Sequence, residues 1–183
     1  IIALTFEQYL NGEGDDWPLL LPMVKAAVRA MDTVATVSEQ ELGTAIDKFF
    51  VLGGSKRGWT TWLSAVVDDR IFGIAPCVID TLNMAEQGKL QLKSYGAYSE
   101  QTKDYTERDI RNPRDSEMGE RLRRMIDPYS YRDQLTLPKL LVFGTNDPYW
   151  TVDSSSLYYP ELKGPKYIYY GPNVGHDVSF GGV

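Results

Sequence analysis

The 183-residue sequence contains a single cysteine, Cys77, and a single histidine, His176. One cysteine cannot form an internal disulfide, and Cys77 lies in an apolar run where a small buried side chain is expected. One histidine and one cysteine also cannot supply a cluster of nitrogen and sulfur ligands, which disfavours metal catalysis. We predict no metal and no cofactor.

The sequence also lacks a basic excess and a long apolar run. Its 25 acidic and 19 basic residues give a formal net charge of −6, which argues against a nucleic-acid partner because such a surface needs clustered basic residues. No apolar run approaches the length of about 20 residues that a membrane-spanning helix needs. Length and a hydrophobic content of 43% are those of one globular domain.

An initiator methionine is missing as well, since the chain opens on Ile1. We expect residues 1–183 to be a partial domain whose upstream strands are absent. The lack of a signal peptide at this start therefore says nothing about export.

The most informative stretch is centred on Ser55. Residues 49–52 form an apolar run that predicts a strand, and residues 59–67 carry apolar side chains at helical spacing. Between them, Ser55 follows Gly53-Gly54, and Gly58 stands one position later than in the usual Gly-x-Ser-x-Gly signature. The pattern predicts a nucleophile elbow that holds Ser55 at strained backbone angles. An ordinary glycine-rich turn is the alternative interpretation.

Three further apolar runs, at residues 71–79, 139–144 and 166–170, predict buried strands. Residues 152–159 predict a helix between the last two strands. Strands that alternate with helices are typical of an α/β fold with a parallel sheet, in which ligands bind at the carboxyl ends of the strands.

The segment 81–137 interrupts this alternation. It has dense charge and weak hydrophobic periodicity, and residues 111–115 would break any helix. We predict a helical cap-like insertion that shapes a substrate pocket, with a solvated peripheral layer as the alternative.

Two polar residues follow later strands, as Ser55 follows the first. Asp147 ends the strand at 139–144, and His176 lies in the loop after the last strand. The chain order of nucleophile, acid and histidine is that of an α/β-hydrolase. Asp80, which ends the strand at 71–79, is the competing candidate for the acid, and the compact turn at 144–148 favours Asp147.

Four segments resemble the family of PhoPQ-activated pathogenicity-related proteins. They are GSKRGWTTW at 54–62, LPKLLVFGTNDPYW at 137–150, YYPELKG at 158–164 and WPLLLPMVK at 17–25. The resemblance implies an α/β-hydrolase fold, here its C-terminal part because family members are larger. It also implies export to the periplasm or outside the cell, and a link to resistance against host antimicrobial peptides.

From these residues we hypothesise a serine hydrolase that cleaves carboxylic esters. Ser55 would be the nucleophile, His176 its base and Asp147 the acid that orients the imidazole. The backbone N–H of Lys56 would be one oxyanion donor, and the second is expected upstream of Ile1.

Trp59, Tyr149 and Trp150 flank the proposed site and are predicted to line an apolar acyl pocket, although simple core packing is the alternative. A peptidase or amidase could use the same triad on a peptide substrate. A third hypothesis is a secreted signalling or binding protein on a hydrolase scaffold, since fold alone does not fix function.

We also predict that the four strands pair in chain order, with the strand at 49–52 at one margin of the sheet. An open apolar edge promotes aggregation. Another chain or another part of the same polypeptide, carrying the missing half of the domain, should therefore cover it.

Overall fold

The computed structural model describes residues 1–110 and 116–178, so the predicted break at 111–115 lies outside the described residues. The helices are α1 (Ile2–Leu10), α2 (Leu20–Leu42), α3 (Lys56–Val67), α4 (Met84–Tyr95), α5 (Lys103–Thr106) and α6 (Glu117–Ile126). The strands are β1 (Phe49–Gly54), β2 (Ile71–Cys77), β3 (Lys139–Gly144) and β4 (Lys166–Gly171). Short 3-10 helices lie at Glu100–Thr102, Pro128–Tyr131, Ser154–Leu157 and Tyr159–Glu161.

The four strands form one parallel sheet in the order β1-β2-β3-β4. Gly54 pairs with Cys77, Cys77 with Val142, and Gly144 with Gly171, so all four carboxyl ends meet at one edge. The predicted α/β class and strand order are confirmed. Loops that follow each strand therefore begin close together in space.

One face of the sheet packs against helices. Trp62 and Leu63 of α3 are 1% and 5% exposed, and they lie in the same core cluster as Ile74 and Leu141 of the central strands. The helix α1, for which the sequence made no prediction, adds Phe6 to that cluster. No helix of the described ranges is long and apolar enough to cross a bilayer.

The predicted helix at 152–159 is wrong, because two 3-10 helices occupy these positions. Serine hydroxyls here bond to side chains, with Ser154 Oγ 2.9 Å from Thr151 Oγ1 and Ser155 Oγ 2.7 Å from the Tyr170 hydroxyl. Pro160 also disfavours the α conformation at the residue before it. The two effects together shorten the helical turns.

The opposite face of the sheet exposes large apolar side chains. They are Phe50, Leu52, Phe72, Leu140, Tyr167 and Tyr169, which are between 39% and 69% exposed. Parallel sheets are usually buried on both faces, and β1 also lies at the margin of the sheet. This exposed face of the sheet is therefore as apolar as a face that other residues normally cover.

We expect the 183-residue polypeptide, taken alone, to self-associate through this surface. Replacing both Phe50 and Leu52 by Lys should raise the dissociation constant at least about tenfold, because each buried side chain contributes ~1.5–3 kcal/mol. Light scattering over a concentration series measures the effect.

The matched control replaces Val34 and Val37 of α2 by Lys, because these side chains are 44% and 48% exposed on a helix. The expectation fails if the unmodified polypeptide is monomeric throughout, or if the α2 variant dissociates as readily as the β1 variant.

Candidate active site

Ser55 occupies a strained turn between β1 and α3. Its backbone φ of 56° and ψ of −124° are unusual for a residue with a side chain. A hydrogen bond from its N–H to the Cys77 carbonyl, 2.8 Å long, holds the turn against the end of β2. Ser55 therefore has the strained backbone conformation that the sequence predicts.

The late glycine of the motif has a steric reason. A Cβ atom at Gly58 would lie 2.7 Å from the Gly53 carbonyl oxygen and 2.7 Å from Ile79 Cγ2. Position 57, where the usual signature places the glycine, carries an exposed arginine. The glycine is thus needed one position later, where α3 approaches the ends of β1 and β2.

His176 is brought to Ser55 by the loop after β4. The loop packs so tightly on β3 that a Cβ at Gly144 would lie 2.2 Å from the Val174 carbonyl oxygen. The Asn146 N–H donates to that same carbonyl at 3.0 Å. The loops that carry Asp147 and His176 are therefore fixed to each other.

Two hydrogen bonds connect the three predicted residues. His176 Nε2 lies 2.8 Å from Ser55 Oγ, and His176 Nδ1 lies 2.9 Å from Asp147 Oδ2. The Asp147 side chain is 4% exposed and that of His176 is 23% exposed. If Nδ1 carries the proton and donates it to the carboxylate, Nε2 is an acceptor for the serine hydroxyl.

The Lys56 N–H begins α3, next to Ser55. The first N–H groups of a helix have no acceptor within the helix, and the Ser55 side chain does not cap α3. The positive end of the helix dipole thus lies beside the serine hydroxyl.

Tyr149 supports both the carboxylate and the imidazole. Its backbone N–H donates to Asp147 Oδ1 at 2.9 Å, and its ring stacks on His176 with centroids 4.0 Å apart. Side chains from the 81–137 segment bind the backbone of the loop that contains Asp147 and Tyr149. Gln91 Nε2 donates to the Tyr149 carbonyl at 2.7 Å, and Ser99 Oγ donates to the Pro148 carbonyl at 2.6 Å.

Sequence reasoning missed Gln91 and Ser99. Gln91 is fully buried in a helix of low amphipathicity, and its role depends on a partner 58 residues away in the chain. No local signal in the sequence indicates that contact.

A cavity of about 120 Å³ opens beside Ser55. All three aromatic residues predicted near the site, Trp59, Tyr149 and Trp150, line it. Trp59 is held by a hydrogen bond of 2.6 Å from its Nε1 to the Ile126 carbonyl. The segment 81–137 contributes many of the remaining lining residues, so it contacts the same space as Ser55.

Asp80, the competing acid, has a different partner. Its Oδ1 accepts a hydrogen bond of 2.6 Å from the Tyr158 hydroxyl, and the residue is 2% exposed. Burial raises the pKa of Asp80 from 3.8 to about 7, and the nearby Asp147 charge adds to the effect. The structure brings Asp147 to His176 and holds Asp80 against Tyr158.

Comparisons with known proteins point to one fold. The family model of the PhoPQ-activated pathogenicity-related proteins matches residues 1–181. The autocrine proliferation repressor protein A of Dictyostelium discoideum is 35% identical over 97% of this chain, which spans 36% of that relative.

Two solved acetyl xylan esterases have the same fold. One is acetyl xylan esterase 1 from Thermoanaerobacterium sp. JW/SL YS485. The match covers 95% of this chain and 54% of the esterase chain, with a TM-score of 0.61 and 19% sequence identity. The other is the acetyl xylan esterase from Paenibacillus sp. R4. The match covers 89% of this chain and 48% of the esterase chain, with a TM-score of 0.63 and 20% sequence identity. The fold is that of the α/β-hydrolases, and the chain spans about half of these esterases.

Replacing Asp80 by Asn should make the stability less dependent on pH. Because the folded-state pKa of Asp80 is raised, the folded protein keeps a proton that the unfolded chain releases between pH 4 and 7. The free energy of unfolding therefore falls with rising pH in this window, by ~3 kcal/mol for this group. The asparagine variant should lack that part of the slope.

Urea unfolding at several pH values between 4 and 8 measures the difference. Burial also raises the pKa of Asp127, to about 6, but this contribution is common to both proteins and cancels in the comparison. If the free energy of unfolding changes with pH equally in the two proteins, the raised pKa of Asp80 is contradicted.

Proposed function

Since the chain belongs to the PhoPQ-activated pathogenicity-related protein family, we propose that it forms the catalytic part of a serine hydrolase that cleaves carboxylic esters. The observation that carries the proposal is the continuous hydrogen-bonded series from Ser55 through His176 to Asp147. A serine hydroxyl becomes a good nucleophile only when a neighbouring base takes its proton. The likeness of the fold to esterases supports the same reaction class.

The proposed reaction proceeds through an acyl-enzyme. Ser55 Oγ attacks the ester carbonyl as His176 Nε2 takes the hydroxyl proton, and the Asp147 carboxylate stabilises the imidazolium that forms. The Lys56 N–H donates to the oxyanion of the tetrahedral intermediate, and a second donor is expected outside residues 1–183. His176 then gives its proton to the leaving alkoxide, and water releases the acyl group by the reverse sequence.

A peptidase or amidase on the same residues differs mainly in leaving-group protonation and pocket shape. Parallel assays of p-nitrophenyl esters and a peptide panel separate the two classes. If the protein hydrolyses peptides faster than esters, it is a peptidase or amidase rather than an esterase.

A second candidate is a secreted signalling protein on the hydrolase scaffold. The relative named as an autocrine proliferation repressor favours it, because 97% of this chain matches that protein. The test is the biological effect of the full-length protein after Ser55→Ala. An unchanged effect favours signalling, and a lost effect favours catalysis.

In either case we propose a periplasmic or secreted location, as the family resemblance implies.

Three variants of the full-length protein test the catalytic roles. Ser55→Ala and Asp147→Asn should each lower kcat for p-nitrophenyl acetate by about 10⁴-fold or more, the scale of such losses in known triads. Asp80→Asn is the matched control, and its kcat should stay within about tenfold of the unmodified protein because Asp80 does not contact His176. Steady-state kinetics at pH 8 measures all three.

The assignment of the acid is contradicted if Asp80→Asn loses as much activity as Asp147→Asn. Equal activity of Ser55→Ala and the unmodified protein would contradict the whole scheme.

A further inference from the structure

The ring of Tyr149 covers one face of the His176 imidazole. The two ring centroids lie 4.0 Å apart and the ring planes are inclined by 32°, so the rings meet face to face with a tilt rather than edge-on. The Asp147 carboxylate meets the imidazole at its edge, through Nδ1, and the Ser55 hydroxyl meets it through Nε2. The tyrosine and the carboxylate therefore approach the imidazole from different directions.

Backbone hydrogen bonds hold Tyr149 in this place. Its N–H donates to Asp147 Oδ1 at 2.9 Å, and its carbonyl accepts from Gln91 Nε2 at 2.7 Å. Gln91 is fully buried, at 0% exposure. Because both bonds are made by the backbone of Tyr149, substituents on its ring leave them unchanged.

This stacking should be stronger when His176 is charged. The face of an aromatic ring is negative and attracts a cation that lies within about 6 Å of the ring centroid. An imidazolium carries a full positive charge, whereas a neutral imidazole does not. The His176 side chain is 23% exposed, so water screens the attraction only in part.

The proposed reaction makes the difference kinetically important, because His176 becomes an imidazolium in both of its steps. It takes the Ser55 proton as the acyl-enzyme forms, and it takes a proton from water as the acyl group is released. Positive charge therefore develops on the imidazole in each transition state. An interaction that is stronger in the transition state than in the ground state lowers the barrier.

Resting on the proposed function, we propose that Tyr149 speeds the reaction by stabilising the imidazolium form of His176 through the face of its ring. Tyr149 acts through His176, so it is a positioning residue with an electrostatic effect. Attraction of this kind in a partly desolvated site corresponds to an effect of about tenfold on the rate. The competing explanation is simple packing, which depends on the shape of the ring and not on its charge distribution.

The first arm changes the charge of the ring face while keeping the ring shape. In the full-length protein, Tyr149 is replaced by phenylalanine and by phenylalanines that carry one, two or three fluorine atoms. Tyr149→Phe should keep kcat for p-nitrophenyl acetate within about twofold, because both rings have a negative face. Each fluorine withdraws electrons from the face, so kcat should then fall at every step, by about tenfold over the series, with KM within about twofold. A constant kcat across the series overturns the proposal and leaves the hydrolase function standing.

The same fluorinated residues at Phe143 are the matched control. Phe143 is 3% exposed, and its ring packs on Tyr170 with centroids 5.6 Å apart. It lies on β3, the strand that leads to the loop of Asp147, so it reports general effects of fluorine on this part of the protein. We expect kcat to stay within about twofold in this series. An equal fall of kcat in the two series overturns the proposal.

The last arm does not require catalysis. In the full-length Ser55→Ala variant, NMR of carbon-13-labelled imidazole measures the fraction of His176 in the imidazolium form, at a fixed pH at which both forms are populated. His176→Ala assigns the signal. The imidazolium fraction should fall with each fluorine at position 149 and stay constant in the position 143 series. If this trend appears in a protein that hydrolyses no ester, the stabilisation by Tyr149 stands and the hydrolase function fails. A constant fraction across the position 149 series overturns the role of Tyr149.

Discussion

The close approach of α3 to the ends of β1 and β2 is the constraint on which the rest of the site depends. Only glycine fits at position 58, because a side chain there would collide with the Gly53 carbonyl and with Ile79. The resulting turn holds Ser55 at a positive φ and places its hydroxyl at the carboxyl edge of the sheet. Strain of this kind costs of order 1–3 kcal/mol and persists only where the surroundings impose it. Here the close packing of α3 and the bond from Ser55 to the Cys77 carbonyl impose it.

The carboxyl edge is then completed by contacts that come from distant parts of the chain. The loop of His176 packs on Gly144, and the ring of Tyr149 stacks on the imidazole. Gln91 and Ser99, from the segment between β2 and β3, hold the backbone of the loop that contains Asp147. That segment therefore does two things, since it fixes the acid loop and also supplies cavity walls above Ser55. Changes in its packing should affect both the rate of the proposed chemistry and the choice of substrate.

Local sequence patterns predicted the strands and the strained serine well. Residues 139–144 form β3 with the predicted bounds, because a short run of apolar residues between Pro138 and a polar turn has few other solutions. Ser55, Asp147 and His176 meet at one edge of the sheet because parallel strands bring their carboxyl ends together. What the sequence did not predict depends on long-range packing. The helix α1 gains its place through Phe6, which packs on Trp59, and the turns at 154–161 follow from serine hydroxyls bonded to side chains elsewhere. Gln91 carries no motif at all, since its importance arises from a carbonyl far away in the chain.

In the proposed mechanism, His176 activates Ser55 by taking its proton. Labelling of the full-length protein with a fluorophosphonate, followed by mass spectrometry of its peptides, tests this claim most directly because the probe reacts with activated serines rather than with ordinary ones. We expect a single adduct on Ser55, formed at a rate that His176→Ala lowers by at least about 10³-fold. An adduct on another residue, or a rate of Ser55 labelling that His176→Ala leaves unchanged, would contradict the proposed mechanism.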